Sequence, residues 1–161
     1  DQFADALLCD WEPLSSRLVR APSLYVLGRG PGFAIASEVA LKFKETCGLH
    51  AEAYSAAEVL HGPAAIVRAQ FPVLALGVSD AALPGVITTC ERLAGQGADV
   101  FLTAAGAAAP VTGLSSVAGV HPLTAPLVLA VSFYRFVEAL SRRRGLNPDD
   151  PPYLRKVTET V

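Results

Sequence analysis

Methionine is missing from all 161 residues, and lysine occurs only at Lys42, Lys44 and Lys156 in a chain with 13 Lys+Arg. A natural translation product begins with Met, so a chain starting at Asp1 is expected to be a trimmed form or a piece of a longer protein. No charge of one sign dominates: 13 Lys+Arg face 15 Asp+Glu, a formal net charge of -2. That excludes the basic field a nucleic-acid backbone requires. Cysteine is sparse as well. Cys9, Cys47 and Cys90 are scattered with no CxxC, which argues against a disulfide framework or a zinc knuckle and for a reduced, cytoplasmic setting. No cationic region precedes an apolar one, so no signal peptide is expected. The most apolar stretch, 124–134, is broken at Arg135 and falls short of the about 20 residues a bilayer span needs. It reads as a buried helix.

Hydrophobic residues make up 52% and charged residues 17%, enough apolar material for one packed domain and too little charge for a disordered chain. Residues 1–8 and 11–19 are expected to be helical pieces split by Asp10 and Pro13. A short apolar run at 24–27 ends in Gly28, Gly30 and Gly32, and a helical period follows to Cys47. Strand, glycine turn and helix open an α/β unit. Further strands are expected at 73–78, 98–103 and, weakly, 116–120, with a helix over 82–93 and a loop over 104–110. Thr124 is positioned to cap a long helix through Arg144. Arg142, Arg143 and Arg144 lie in its last turn and Gly145 just past it, cations and glycine both favouring a helix C-terminus. The segment 147–152 holds three prolines and is expected to be irregular, as part of a tail over 146–161. Strands alternating with helices imply a parallel sheet covered on both faces.

The glycine turn invites a dinucleotide reading that its spacing rejects. The third glycine of G-x-G-x-x-G would fall on Phe33, and the next clear strand starts about 40 residues on, beyond a compact βαβ unit of about 30 residues. Either a ligand-free tight turn or a sugar or phosphate at the helix N-terminus fits. Glu38, Lys42 and Glu45, at i, i+4 and i+7, share one stripe of the following helix, while Ala36, Val39, Ala40, Phe43 and Cys47 form the adjoining apolar stripe. The charged stripe is either a solvated face or a reactive one. Lysine differs from arginine in that its amine loses its proton when desolvated and then attacks a carbonyl. His61 precedes Gly62 and Pro63 and is expected in a rigid turn, not inside a helix, a placement that suits proton transfer near neutral pH. No Cys or carboxylate completes a metal set with His50 and His61, and no metal or cofactor is expected. Cys47 reads as inert core and His121 as structural.

These residues resemble a known family. Leu27 with the following G-R-G, the run A-L-K-F-K-E at 40–45, H-A-E-A-Y at 50–54, E-V-L-H-G-P at 58–63 and the tail around Lys156 are similar, over 24–156, to the second SIS (sugar isomerase) half of the isomerase domain of glucosamine-6-phosphate synthase and to its glutaminase-free deaminase and isomerase relatives. The resemblance implies a flavodoxin-like three-layer α/β/α sandwich. Residues 1–161 would then be a single SIS domain, the C-terminal half of a two-SIS protein that forms a homodimer.

The resemblance also implies roles on fructose 6-phosphate or glucosamine 6-phosphate. Glu45 would move the proton between C1 and C2 through an enediol-type intermediate. His61 would help open the sugar ring, reaching the neighbouring subunit's site. Lys156 would form an imine with the ketose carbonyl, and Lys42 would supply positive charge beside Glu45. Gly28, Gly30 and Arg155 complete the expected substrate contacts. The phosphate-gripping Ser/Thr loop of the family belongs to the first SIS half, and here the loop 79–84, with one hydroxyl and an acid, is a poor phosphate cradle. No glutaminase domain with its N-terminal Cys is present, and the tail lies closer to the glutaminase-free relatives. A non-catalytic module that senses a phosphosugar, and a purely structural dimerisation half, are the rival readings.

Overall fold

A computed structural model of the chain describes residues 1–152 and Leu154. Arg155 and Lys156 lie outside the described residues. Two short helices, α1 (Gln2–Ala6) and α2 (Glu12–Leu18), lead into strand β1 (Ser23–Gly28). Then follow α3 (Pro31–Cys47), β2 (His50–Ser55), two 3-10 turns (Glu58–His61 and Pro63–Ile66), β3 (Pro72–Ala75), α4 (Leu83–Gly95), β4 (Asp99–Leu102), the two-residue β5 (Thr112–Gly113) and α5 (Ala125–Arg143). All pairings are parallel, in the order β2-β1-β3-β4-β5.

Period two in the strands builds the three layers. Leu24, Val26, Leu74 and Phe101 enter a core shared with α2, α3 and α5, where Phe43, Phe133 and Phe136 meet edge-on or tilted. Tyr25, Leu27, Val73, Ala75, Val100 and Leu102 face the other way, against Val86, Cys90 and Leu93 of α4. The expected α/β/α sandwich with a parallel sheet is therefore the observed fold. No helix among the described residues is long and apolar enough to cross a membrane.

Four local expectations change. Residues 50–54, not expected as a strand, form β2, the sheet edge, so the first strand–helix–strand unit is compact and the strand-spacing half of the objection to a dinucleotide site does not hold. Alanines on the pleat and one partner strand left little hydrophobic alternation to see. The weak strand at 116–120 is absent; Gly119, at φ 70°, bends this segment, and the fifth strand pairs earlier, through Thr112 and Gly113. Pro13 does not split a helix but sits in the first turn of α2, where its missing N–H costs nothing. Thr124 precedes α5 without capping it, because its hydroxyl donates back to the His121 carbonyl at 3.1 Å.

Candidate active site

Three of the expected residues sit along the last three turns of α3. Side-chain exposure falls from 33% at Glu38 through 29% at Lys42 to 23% at Glu45. The Lys42 ammonium is paired with Glu45 Oε2 and lies 3.7 Å from Glu38 Oε1. The hydrogen bond to Glu45 holds the Lys42 pKa above its ordinary value, against the opposing pull of burial. A lysine so held is a fixed cation and not a free amine. From α5, Tyr134 donates its phenol proton to Glu38 Oε1 at 2.9 Å.

The end of α3 that carries this cluster is clamped. Ser141 donates to the Thr46 carbonyl at 2.7 Å, and Arg144 Nε donates to the Cys47 carbonyl at 2.9 Å. Arg144 Nη1 also reaches the carbonyls of Leu18, Val19 and Ala21 at 2.6, 3.2 and 3.1 Å. One guanidinium thus satisfies the trailing carbonyls of two helices and places a cation where α3 carries its partial negative charge. Cys47 is fully buried in the core, as expected, and desolvation pushes its thiol up.

The start of α3 and the turn after β2 hold the remaining described candidates. Gly28 makes the exit from β1: a Cβ there would stand 2.4 Å from the Gly32 carbonyl oxygen. Gly30 precedes α3 at φ 54° and ψ -130°. Beside them opens a depression of about 730 Å³ lined by Arg29, Gly30, Phe33, Ser55, Glu58 and Ala82. Asp80 accepts from the Ala82 N–H at 2.8 Å, and its other oxygen stands 3.4 Å from where a Cβ on Gly30 would be. A carboxylate therefore occupies the approach to the α3 N-terminus, the place an anion would take.

His61 is exposed and ends the 3-10 turn Glu58–His61, so it stands at the close of a single helical turn where the sequence alone suggested no helix. Gly62, at φ 142°, reverses the chain, and Tyr25 donates to the Pro63 carbonyl at 3.1 Å. Tyr25 is itself wedged edge-on between Tyr54 and Phe71, with both ring centroids at 4.9 Å.

One chain does not bring all these groups together. From Gly30 to Glu45 the helix rises about 22 Å. α3, which carries Glu45, packs through Val39, Ala40 and Phe43 on one face of the sheet, whereas Val59 and Leu60, just before His61, pack on the other, so the sheet stands between the two side chains. Glu45 and Lys42 meet, while Gly28 and Gly30 lie at the other end of α3.

Residues 17–111 match the SIS domain family model. The chain belongs to the SIS domain family. The matched span contains Gly28, Gly30, Lys42, Glu45 and His61. This SIS domain is 31% identical over 150 residues to a glutamine–fructose-6-phosphate aminotransferase (isomerizing) of Sphingobium yanoikuyae, covering 90% of this chain and 96% of that protein. It is 37% identical over 153 residues to the enzyme of that name from Aeropyrum pernix, covering 91% of this chain but 24% of the relative. Among solved structures it superposes with TM-score 0.84 and 46% identity on a Silicibacter pomeroyi DSS-3 protein proposed to be a phosphosugar isomerase, over 91% of this chain and 44% of that one. The C-terminal domain of glucosamine-fructose-6-phosphate aminotransferase from Francisella tularensis gives TM-score 0.79 at 25% identity, over 92% of this chain and 42% of that one. The SIS domain thus spans under half of these solved chains and about a quarter of the Aeropyrum relative.

Two participants escaped sequence reading. Tyr134 lies 96 positions from Glu38, and nothing in local spacing joins them. Asp80 was visible as an acid in a loop, but only the fold sets it against Gly30.

Proposed function

We propose that this SIS domain serves a sugar-phosphate isomerase, aminotransferase or deaminase acting on fructose 6-phosphate or glucosamine 6-phosphate. The pairing of Glu45 with Lys42 on the clamped end of α3 is the observation that supports this most, within a chain 31% identical to an isomerising aminotransferase. In this reading Glu45 takes a proton from one of C1 and C2 and returns it to the other. Lys42 stabilises the oxyanion that develops meanwhile. His61 assists ring opening, and Lys156 condenses with the ketose carbonyl, releasing water and forming an imine. Arg155, Gly28 and Gly30 contribute to substrate binding. The phosphate is gripped by an N-terminal SIS half, a division that Asp80 favours by placing negative charge at this half's own strand ends. The separation of Glu45 from His61 favours a homodimer in which each centre draws on two copies, and the setting is cytoplasmic.

The test is conversion of glucosamine 6-phosphate to fructose 6-phosphate by the full-length protein. Glu45→Gln is expected to lower kcat by about 10²–10⁴; turnover that survives it removes the mechanism. For the rival phosphosugar-sensing module, calorimetry would give tight binding with no turnover at all.

A further inference from the structure

We propose that Tyr134 is a positioning residue for Glu45, acting through Glu38 and Lys42. The inference rests on the isomerase reading above and names a group that reading does not contain.

Glu38 Oε1 is the shared point of the cluster. It accepts the Tyr134 phenol at 2.9 Å and lies 3.7 Å from Lys42 Nζ. Lys42 is thereby contested by two carboxylates, and its ammonium is bonded to Glu45 Oε2. Among the described residues Glu45 Oε1 has no partner, which leaves one oxygen for substrate and one for the lysine. Where Glu38 sits decides how far Lys42 is drawn from Glu45. Tyr134 decides where Glu38 sits, since it satisfies part of that carboxylate's hydrogen bonding and fixes its direction. Burial and the neighbouring Glu38 both push the Tyr134 phenol up, so it stays a donor through neutral pH. Its ring stands beside Phe133, centroids 6.0 Å apart, and the residue as a whole is 45% exposed. Removing only the oxygen therefore leaves the packing in place. Glu38 then compensates by taking Lys42, and Glu45 loses the partner that orients it.

The experiment is steady-state kinetics of glucosamine 6-phosphate conversion by the full-length protein. Tyr134→Phe is expected to lower kcat about tenfold with KM within about twofold, because misplacing a reacting group costs rate without loosening substrate. In a Glu38→Gln background the same change is expected to cost nothing further, since both act on one link. A kcat for Tyr134→Phe within about twofold of the parent, or an equal loss with and without Glu38, overturns the inference. A parallel Glu45→Gln variant separates the two levels. If it retains turnover, the isomerase reading falls and takes this role with it; if it is inactive while Tyr134→Phe is silent, only the role of Tyr134 falls.

Discussion

Arg144 shows how much one side chain can hold. Its guanidinium donates to carbonyls of Leu18, Val19, Ala21 and Cys47, joining α2, α3 and the end of α5. Hydrogen bonds from a charged donor to groups that would otherwise be stranded are worth more than neutral ones. Arg144→Ala is therefore expected to cost about 2–4 kcal/mol in urea unfolding. Arg144→Lys is expected to recover little, because an ammonium is a point charge and cannot span carbonyls from two helices. Sequence reading placed this arginine at a helix end for its charge, which is correct as far as it goes. The rest was illegible, since its acceptors lie between 97 and 126 positions away. Glu45 and Lys42 were legible for the opposite reason: helical spacing alone puts them side by side.

At the scale of elements, the joint between β1 and α3 is closely packed. A methyl group on Gly28 would press on the Gly32 main chain, which has no flexible end to yield. Gly28→Ala is expected to lower the thermal midpoint by about 6–12 °C, the equivalent of roughly 3 kcal/mol in a domain of this size, read by calorimetry. The glycine turn was visible in the sequence because steric need leaves a compositional mark. Strand β2 left none: its residues His50, Ala51, Glu52, Ala53, Tyr54 and Ser55 show little β-branched character, and their pairing with β1 is decided by α3 returning the chain alongside it. Unbroken apolar runs made β1, β3 and β4 readable, as befits strands buried on both faces, whereas the edges β2 and β5 are set by tertiary context.

For the whole molecule, buried acids, Tyr25 and Cys90 among them, make stability fall at alkaline pH. Burial pushes the Tyr25 phenol up from 10 to about 12, with Tyr54 and Glu52 adding to it, and pushes the Cys90 thiol up from 9 to about 12. In the unfolded chain both ionise near their ordinary values, so between pH 9 and 12 the unfolded state releases protons that the folded state keeps. Stability is then full below about pH 9 and falls as pH climbs toward 12. For Tyr25 alone the gap corresponds to on the order of 3 kcal/mol. Urea midpoints at pH 8 and pH 11 are expected to differ in that direction, and Tyr25→Phe to flatten part of the decline.

The sheet that stands between Glu45 and His61 carries a consequence for how such a protein is governed. Under the proposed roles, the imidazole and the acid stand on opposite faces of one sheet and would not serve the same sugar within a single copy. On that proposal each copy would lend its histidine outward and borrow another's in return. Catalytic power would then be a property of the population: dilution below the association threshold would extinguish turnover, and whatever strengthens subunit contact would act as an activator without touching a reacting atom.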